Sequence, residues 1–422
     1  MDIFHIDGPV RLSGSVTING SKNASLPIMA AAILVPGKTI LQSVPHLSDI
    51  KLFSTLLENL GCKVSRDPND NLEIDAAVVD NPIGDYEIVS KMRGSICILG
   101  PLLGRCGRAE VSMPGGCAIG DRPIDIHLRG LKALGADIHL KNGYVVAETP
   151  NGLIGTDIFL GGPFGSTVLG TANIMMAAVL ANGTTVIDSA ACEPEIVDLA
   201  NCLNTMGAKI SGIGSPRLTI EGVDKLEPVK YTVIPDRIEA GTFMAAAAIT
   251  SGRLSIKNCK LEHLMAVVDK FRQIGVIVEK ANGGIEVTRD GSLKTADVTT
   301  QPYPGFPTDL QAQLMALLSL ADGNSIVIEK IFPDRFMHVA ELNRMAAHLR
   351  KEGPVVIVSG VKQLIAAPVM ASDLRASAAL VLAGLAAEGT TIVNRVYHID
   401  RGYEKIEERL NPLGAKIERQ SI

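Results

Sequence analysis

Two glycine-ended helical signatures recur through the 422-residue chain at a spacing of about 70 residues, and no other feature constrains its fold as tightly. The first is amphipathic and charged and reads Leu-x-x-Leu-Gly. It closes at Gly61, Gly135, Gly207, Gly275 (as Phe-x-x-Ile-Gly) and Gly414, with Met345-Ala346 as a degenerate copy. The second is an alanine-rich apolar run that ends in glycine and passes into a β-branched strand, at Gly37, Gly107, Gly183, Gly252, Gly323 and Gly389. The two keep step through six units. Each unit therefore holds a charged-faced helix, an apolar helix stopped by a C-terminal glycine, and short strands rich in Val, Ile and Thr. A helix that is apolar all round must be buried. Six such helices cannot share one modest core, and a chain of this length with 46% hydrophobic residues is long for a single domain. Three units per domain is the economical packing, with apolar helices inside, sheets and charged helices outside, and a boundary near 231–235.

Composition excludes several function classes. A net charge of -5 offers nucleic acid no global attraction, so any anionic ligand must be held by local Lys and Arg. Seven cysteines, an odd number without a C-x-x-C pair, read as reduced thiols and point to a cytoplasmic setting, not to disulfides or zinc. The apolar runs, such as 378–387, are too short to span a bilayer, and residues 1–10 lack a basic segment followed by an apolar one, so neither membrane insertion nor secretion is expected. There is no nucleotide-binding glycine fingerprint and no His or Cys spacing for a metal.

The helix starts carry the candidate chemistry, because a helix N-terminus aims free N–H donors at whatever lies beyond it. Asn23, Arg93 and Asp309 each lie 14 residues before their glycine, Asp236 and Asp373 lie 16 before theirs, and Leu169-Gly170 hold the place in the third unit. Arg122 and Arg401 each lie 13 residues before Gly135 and Gly414, preceded by Asp121 and Asp400. The aspartates read equally well as N-caps. A cation at a helix N-terminus opposes the macrodipole by about 0.3–1 kcal/mol, so Arg93, Arg122 and Arg401 read as anion ligands, with ion pairing to a neighbouring Asp as the alternative. Pro114, Gly115, Gly116, Cys117 and Gly120 make a loop that can bring a thiol near a ligand held by Arg122. The other cysteines, Cys62, Cys97, Cys106, Cys192, Cys202 and Cys259, read as buried structural thiols.

Five segments give these positions a family context: 19–24 (NGSKNA), the Cys117 loop through His127, 306–313 (FPTDLQAQ), 373–377 (DLRAS) and 397–404 (YHIDRGYE). In them the chain resembles the UDP-N-acetylglucosamine enolpyruvyl transferases over essentially its whole length. The resemblance implies an α/β fold, a two-domain inside-out α/β barrel of six repeated units, three per domain. Residues 21–234 would form the domain carrying the cysteine loop, 1–20 and 235–422 the other, and the active site would lie in the cleft between them. It implies transfer of the enolpyruvyl group of phosphoenolpyruvate to the 3-hydroxyl of UDP-N-acetylglucosamine, with release of phosphate and no cofactor or metal.

Carried over position by position, Lys22, Asn23, Arg122 and Arg401 would bind phosphoenolpyruvate, whose phosphate and carboxylate suit paired guanidinium donors. Cys117 would donate a proton and Asp309 would accept one, with Lys22 and Arg401 also catalytic. Arg93, Arg122, Pro123, Ile124, Asp125, Ile126, Leu169, Gly170, Asp309 and Ile331 would bind UDP-N-acetylglucosamine, with Asn23 also facing the sugar and diphosphate. Asp236, Arg335, Asp373, Arg375 and His398 would line the cleft behind them. The chain departs from many relatives at 167–171, where Thr-Val-Leu-Gly-Thr replaces Ser-Val-Gly-Ala; the backbone of Leu169 and Gly170 can still offer donors there. Two other readings are a 5-enolpyruvylshikimate-3-phosphate synthase-like transferase, opposed by the Cys117 loop and the 122–126 segment, and a non-catalytic paralogue, opposed by the joint presence of Lys22, Cys117, Asp309 and Arg401.

Overall fold

The structure is a computed structural model that describes residues 2–115, 119–120 and 123–421. The chain divides into two compact units. One comprises residues 20–115 and 123–234, the other residues 2–19, 119–120 and 235–421. The chain thus changes unit near residues 19–20 and near 234–235, with residues 119–120 as a short excursion between them.

In the first unit the apolar helices α1 (Lys22–Ala31), α2 (Leu99–Cys106) and α3 (Val168–Ala178) form the centre of a single core. Every residue of α3 from Gly170 to Ala178 is buried, as its mostly apolar sequence demands. Three four-stranded sheets surround these helices, all of one design: a parallel pair, then two antiparallel partners. In the first sheet Lys230–Thr232 runs parallel to Lys38–Gln42, which pairs with Leu72–Asp75 and through it with Lys63–Arg66. The last strand of the unit therefore completes its first sheet. The amphipathic helices Ser48–Asn59, Asp125–Ala133 and Pro194–Thr205 each bury one face; in the first of them Ile50, Phe53, Leu56 and Leu57 point inward.

The second unit repeats the plan around α4 (Arg237–Ile249), α5 (Gln311–Leu318) and α6 (Leu374–Ala386). All of α4 is buried. Two of its three four-stranded sheets borrow strands from the start of the chain. Ser13–Thr17 lies parallel to Arg253–Lys257, and Asp2–Gly8 lies between Gly389–Asn394 and Ile417–Ser421. The six expected units are present.

The glycines that close the amphipathic helices sit at positive φ, from 92° at Gly275 to 107° at Gly414, where a side chain would clash with its own backbone. In the degenerate copy Ala346 adopts φ 63° and keeps the turn without the glycine. Of the six cysteines read as buried, Cys62, Cys97 and Cys202 are so, while Cys106, Cys192 and Cys259 are half-buried. Cys106 ends α2, and Cys192 and Cys259 lie in connections between elements. Among the described residues no helix is long and apolar enough to cross a membrane.

Candidate active site

Asp309 lies in the short turn Thr308–Leu310 that leads into α5. Its Oδ1 accepts from Arg335 Nη1 at 2.8 Å, and its Oδ2 accepts from Arg375 Nε at 3.2 Å and Nη2 at 3.1 Å. Both arginines are buried. Burial works against the charge on Arg335, but Asp309 and Asp373 outweigh it and hold the guanidinium above its usual range. Asp373 caps α6, accepting from Arg375 N at 2.9 Å and Ala376 N at 3.2 Å, and Asp236 caps α4 at 2.8 Å and 3.0 Å. The capping alternative thus holds for these two aspartates. Asp309 differs, since its carboxylate is directed at guanidinium groups.

Behind Asp309 is a polar knot that sequence reasoning missed. Gln313 Nε2 donates to the Asp309 carbonyl at 3.1 Å, to Thr242 Oγ1 at 3.2 Å and to the Tyr403 hydroxyl at 3.3 Å, and Thr242 and Tyr403 share a 2.8 Å hydrogen bond. A signal was available, because Thr242 and Gln313 interrupt apolar helices, and a buried polar group needs a partner.

Arg401 is not at a helix start. It ends the short 3-10 helix Val396–Arg401, and the following helix, Ile406–Leu410, begins only after Lys405, at φ 40°. The dipole argument made for it from spacing therefore fails: a cation at a helix C-terminus is favourable. In the same segment burial, and then the charge of Arg401, push the His398 imidazole below its ordinary value. Ile331 follows the strand Asn324–Ile328, and its N–H is held at 2.8 Å by Glu329 Oε1.

In the first unit Lys22 opens α1 and its Nζ lies 2.7 Å from Asp49 Oδ2, with both side chains almost fully buried. Ser21, not Asn23, caps this helix, its hydroxyl accepting from Ala24 N at 3.3 Å, so the helix starts at Lys22 and Asn23 lies one residue inside it. Arg93 begins the helical turns Arg93–Ile98, and its Nη2 donates to the Pro123 carbonyl at 3.2 Å. That bond ties Arg93 to the segment of Pro123, Ile124, Asp125 and Ile126. The next residue, His127, is buried against Asn173 of α3. Asn173 Oδ1 accepts from Gly100 N at 2.8 Å, so its Nδ2 must donate, to the Ile96 carbonyl at 2.9 Å and to His127 Nδ1 at 3.0 Å. An accepting Nδ1 makes the ring neutral. Burial first, then Arg93, pushes its pKa down to about 3.

At the start of α3 the expected pair of backbone donors is reduced to one. Gly170 N–H is taken by the Thr167 hydroxyl at 3.2 Å, a consequence of the capping threonine, which leaves Leu169. Cys117 and Arg122 lie outside the described residues. None of the candidate residues lines the cavity of about 450 Å³ bounded by His46, Lys51, Arg66 and their neighbours.

Residues 6–410 match the family model of EPSP synthase (3-phosphoshikimate 1-carboxyvinyltransferase). The chain belongs to the enolpyruvyl transferase family. Over 99% of its length this enolpyruvyl transferase is 52% identical to 99% of the UDP-N-acetylglucosamine 1-carboxyvinyltransferase of Methylacidiphilum infernorum. It is 53% identical, over the whole of both chains, to the protein of that name from Anaeromyxobacter sp. (strain Fw109-5). Among solved structures it is similar to the enolpyruvyl transferase NikO from Streptomyces tendae, with TM-score 0.89, 23% identity and coverage of 100% and 99%. It is also similar to EPSP synthase from Acinetobacter baumannii, with TM-score 0.77, 18% identity and full coverage of both chains. These two likenesses concern the fold.

Proposed function

We propose that this transferase moves the enolpyruvyl group of phosphoenolpyruvate onto the 3-hydroxyl of UDP-N-acetylglucosamine, releasing phosphate. The observation that carries this reading is end-to-end identity of 52–53% with relatives named for that acceptor, against 18% with the EPSP synthase structure. The acceptor oxygen bonds to the central carbon of phosphoenolpyruvate while a proton enters its methylene. Loss of a proton and of phosphate from the tetrahedral adduct then restores the double bond. Cys117 supplies the first proton and Asp309 takes the one from the hydroxyl. Arg335 and Arg375 hold both oxygens of Asp309 as acceptors. Its proton transfer accompanies C–O bond formation, when the hydroxyl turns acidic.

Lys22, Asn23, Arg122 and Arg401 bind phosphoenolpyruvate. Arg93, the 122–126 segment, Leu169 and Ile331 bind the nucleotide sugar, while the Gly170 N–H stays with Thr167. The setting is the cytoplasm and the product feeds peptidoglycan synthesis, whose first committed step this would be; cell division would depend on it, and fosfomycin would block it. Phosphate release from phosphoenolpyruvate, measured with UDP-N-acetylglucosamine and separately with shikimate 3-phosphate, tests the acceptor. Release with the second alone would overturn the assignment.

A further inference from the structure

We propose that Glu329 is a positioning residue that couples the acceptor-binding residue Ile331 to the turn bearing Asp309, an inference that rests on the roles given above to those two residues. Glu329 is fully buried. Its Oε1 accepts from Ile331 N at 2.8 Å, Phe332 N at 3.0 Å and the Thr300 hydroxyl at 2.6 Å. Its Oε2 accepts from the Thr308 hydroxyl at 2.9 Å. Thr308 Oγ1 in turn accepts from Arg335 Nη1 at 3.1 Å, and the same nitrogen donates to Asp309 Oδ1 at 2.8 Å. Thr300 Oγ1 accepts from Lys330 N at 2.9 Å and so braces the loop from its other side.

A buried carboxylate is costly unless its oxygens are bonded, and charge-assisted bonds hold their donors tightly. One rigid group therefore fixes two loops, the loop that meets the acceptor and the turn that carries the base. If Glu329 let go, the hydroxyl and Asp309 would lose their common frame, and a misplacement of about 1 Å can cost about a hundredfold in rate.

Glu329→Gln keeps the shape but turns one accepting oxygen into a donor, facing either N–H groups or hydroxyls that now lack an acceptor. We expect KM for UDP-N-acetylglucosamine to rise about tenfold and kcat to fall about tenfold, with KM for phosphoenolpyruvate unchanged. Thr308→Val cuts only the arm towards Asp309, and should lower kcat about tenfold while acceptor KM stays within about twofold. If the Gln variant does not fold, Thr308→Val decides alone. Wild-type constants in the folded variants, even with lowered melting temperature, would show a purely structural role and overturn the proposal. An equal rise in KM for phosphoenolpyruvate would mark general disorder and overturn it as well. No turnover of UDP-N-acetylglucosamine by the unmodified protein would instead sink the acceptor assignment, and this proposal with it.

Discussion

Arg375 grips one oxygen of Asp309 with two nitrogens, Nε at 3.2 Å and Nη2 at 3.1 Å, while Asp373 holds the backbone N–H of Arg375 at 2.9 Å. The orientation of Asp309 is thereby set from the capped start of α6. Asp309→Asn keeps the shape and removes the negative charge, so turnover should fall by roughly 10²–10⁴ while UDP-N-acetylglucosamine still binds in equilibrium titration. Undiminished turnover in this variant would end the role given to Asp309.

Cys117→Ala should abolish turnover and covalent labelling by fosfomycin. The contrast with the other thiols is chemical: burial pushes Cys62 up to about 11 and Cys97 and Cys259 up to about 12, which removes their thiolate at neutral pH. Peptide mapping of the labelled protein checks this. A label on any cysteine other than Cys117 would contradict it.

His127 should make stability fall in acid. Its ring titrates near 6.5 in the unfolded chain and at about 3 in the folded one. Between those values the unfolded chain takes a proton that the folded chain refuses, so the contribution is whole above pH 6.5 and lost as pH falls towards 3. The slope is at most about 1.4 kcal/mol per pH unit. In denaturant unfolding His127→Gln should be less stable at pH 7, and its deficit should narrow by about 1–2 kcal/mol at pH 5. A deficit equal at both pH values would exclude the linkage.

Ala346 at φ 63° offers a stabilising change. A left-handed conformation costs a residue with a β-carbon about 1–2 kcal/mol, more than the roughly 0.5–1 kcal/mol of extra chain entropy that glycine loses on folding. Ala346→Gly should therefore stabilise the protein by up to about 1 kcal/mol, seen as a higher melting temperature. A lower one would mean that the Ala346 methyl packs better than its backbone strain suggests.

The six-unit architecture was legible because each unit repeats two requirements that only certain residues meet, a positive φ after a helix and an apolar helix surface. Strand partnership was not legible in the same way. Nothing local in Lys230–Thr232 announces that it pairs with Lys38–Gln42. Within the candidate site, Asp309, Arg335, Asp373 and Arg375 were all named from sequence, and the structure brings them into one network. Arg401 shows where spacing misleads. A 13-residue offset implies a helix start only if the helix runs unbroken, and the backbone at Gly402 and Lys405 breaks it. Glu329, Gln313 and Asn173 were overlooked because their partners are backbone groups and side chains distant in sequence. Their one local mark is a polar residue beside or within an apolar run.

The placement of Asp2–Gly8 between Gly389–Asn394 and Ile417–Ser421 has a consequence for biosynthesis. On the ribosome the first strand to emerge must wait for nearly the last two before its edges are covered, and Ser13–Thr17 must wait for Arg253–Lys257. The unit built from residues 20–234 has no such debt, since each of its sheets draws its strands from within that span. It can close as soon as Lys230–Thr232 leaves the exit tunnel, while its host must keep the two edges of Asp2–Gly8 from aggregating until translation is almost done. A nascent-chain pulse series should accordingly show protease resistance arriving in two steps, the inserted unit first.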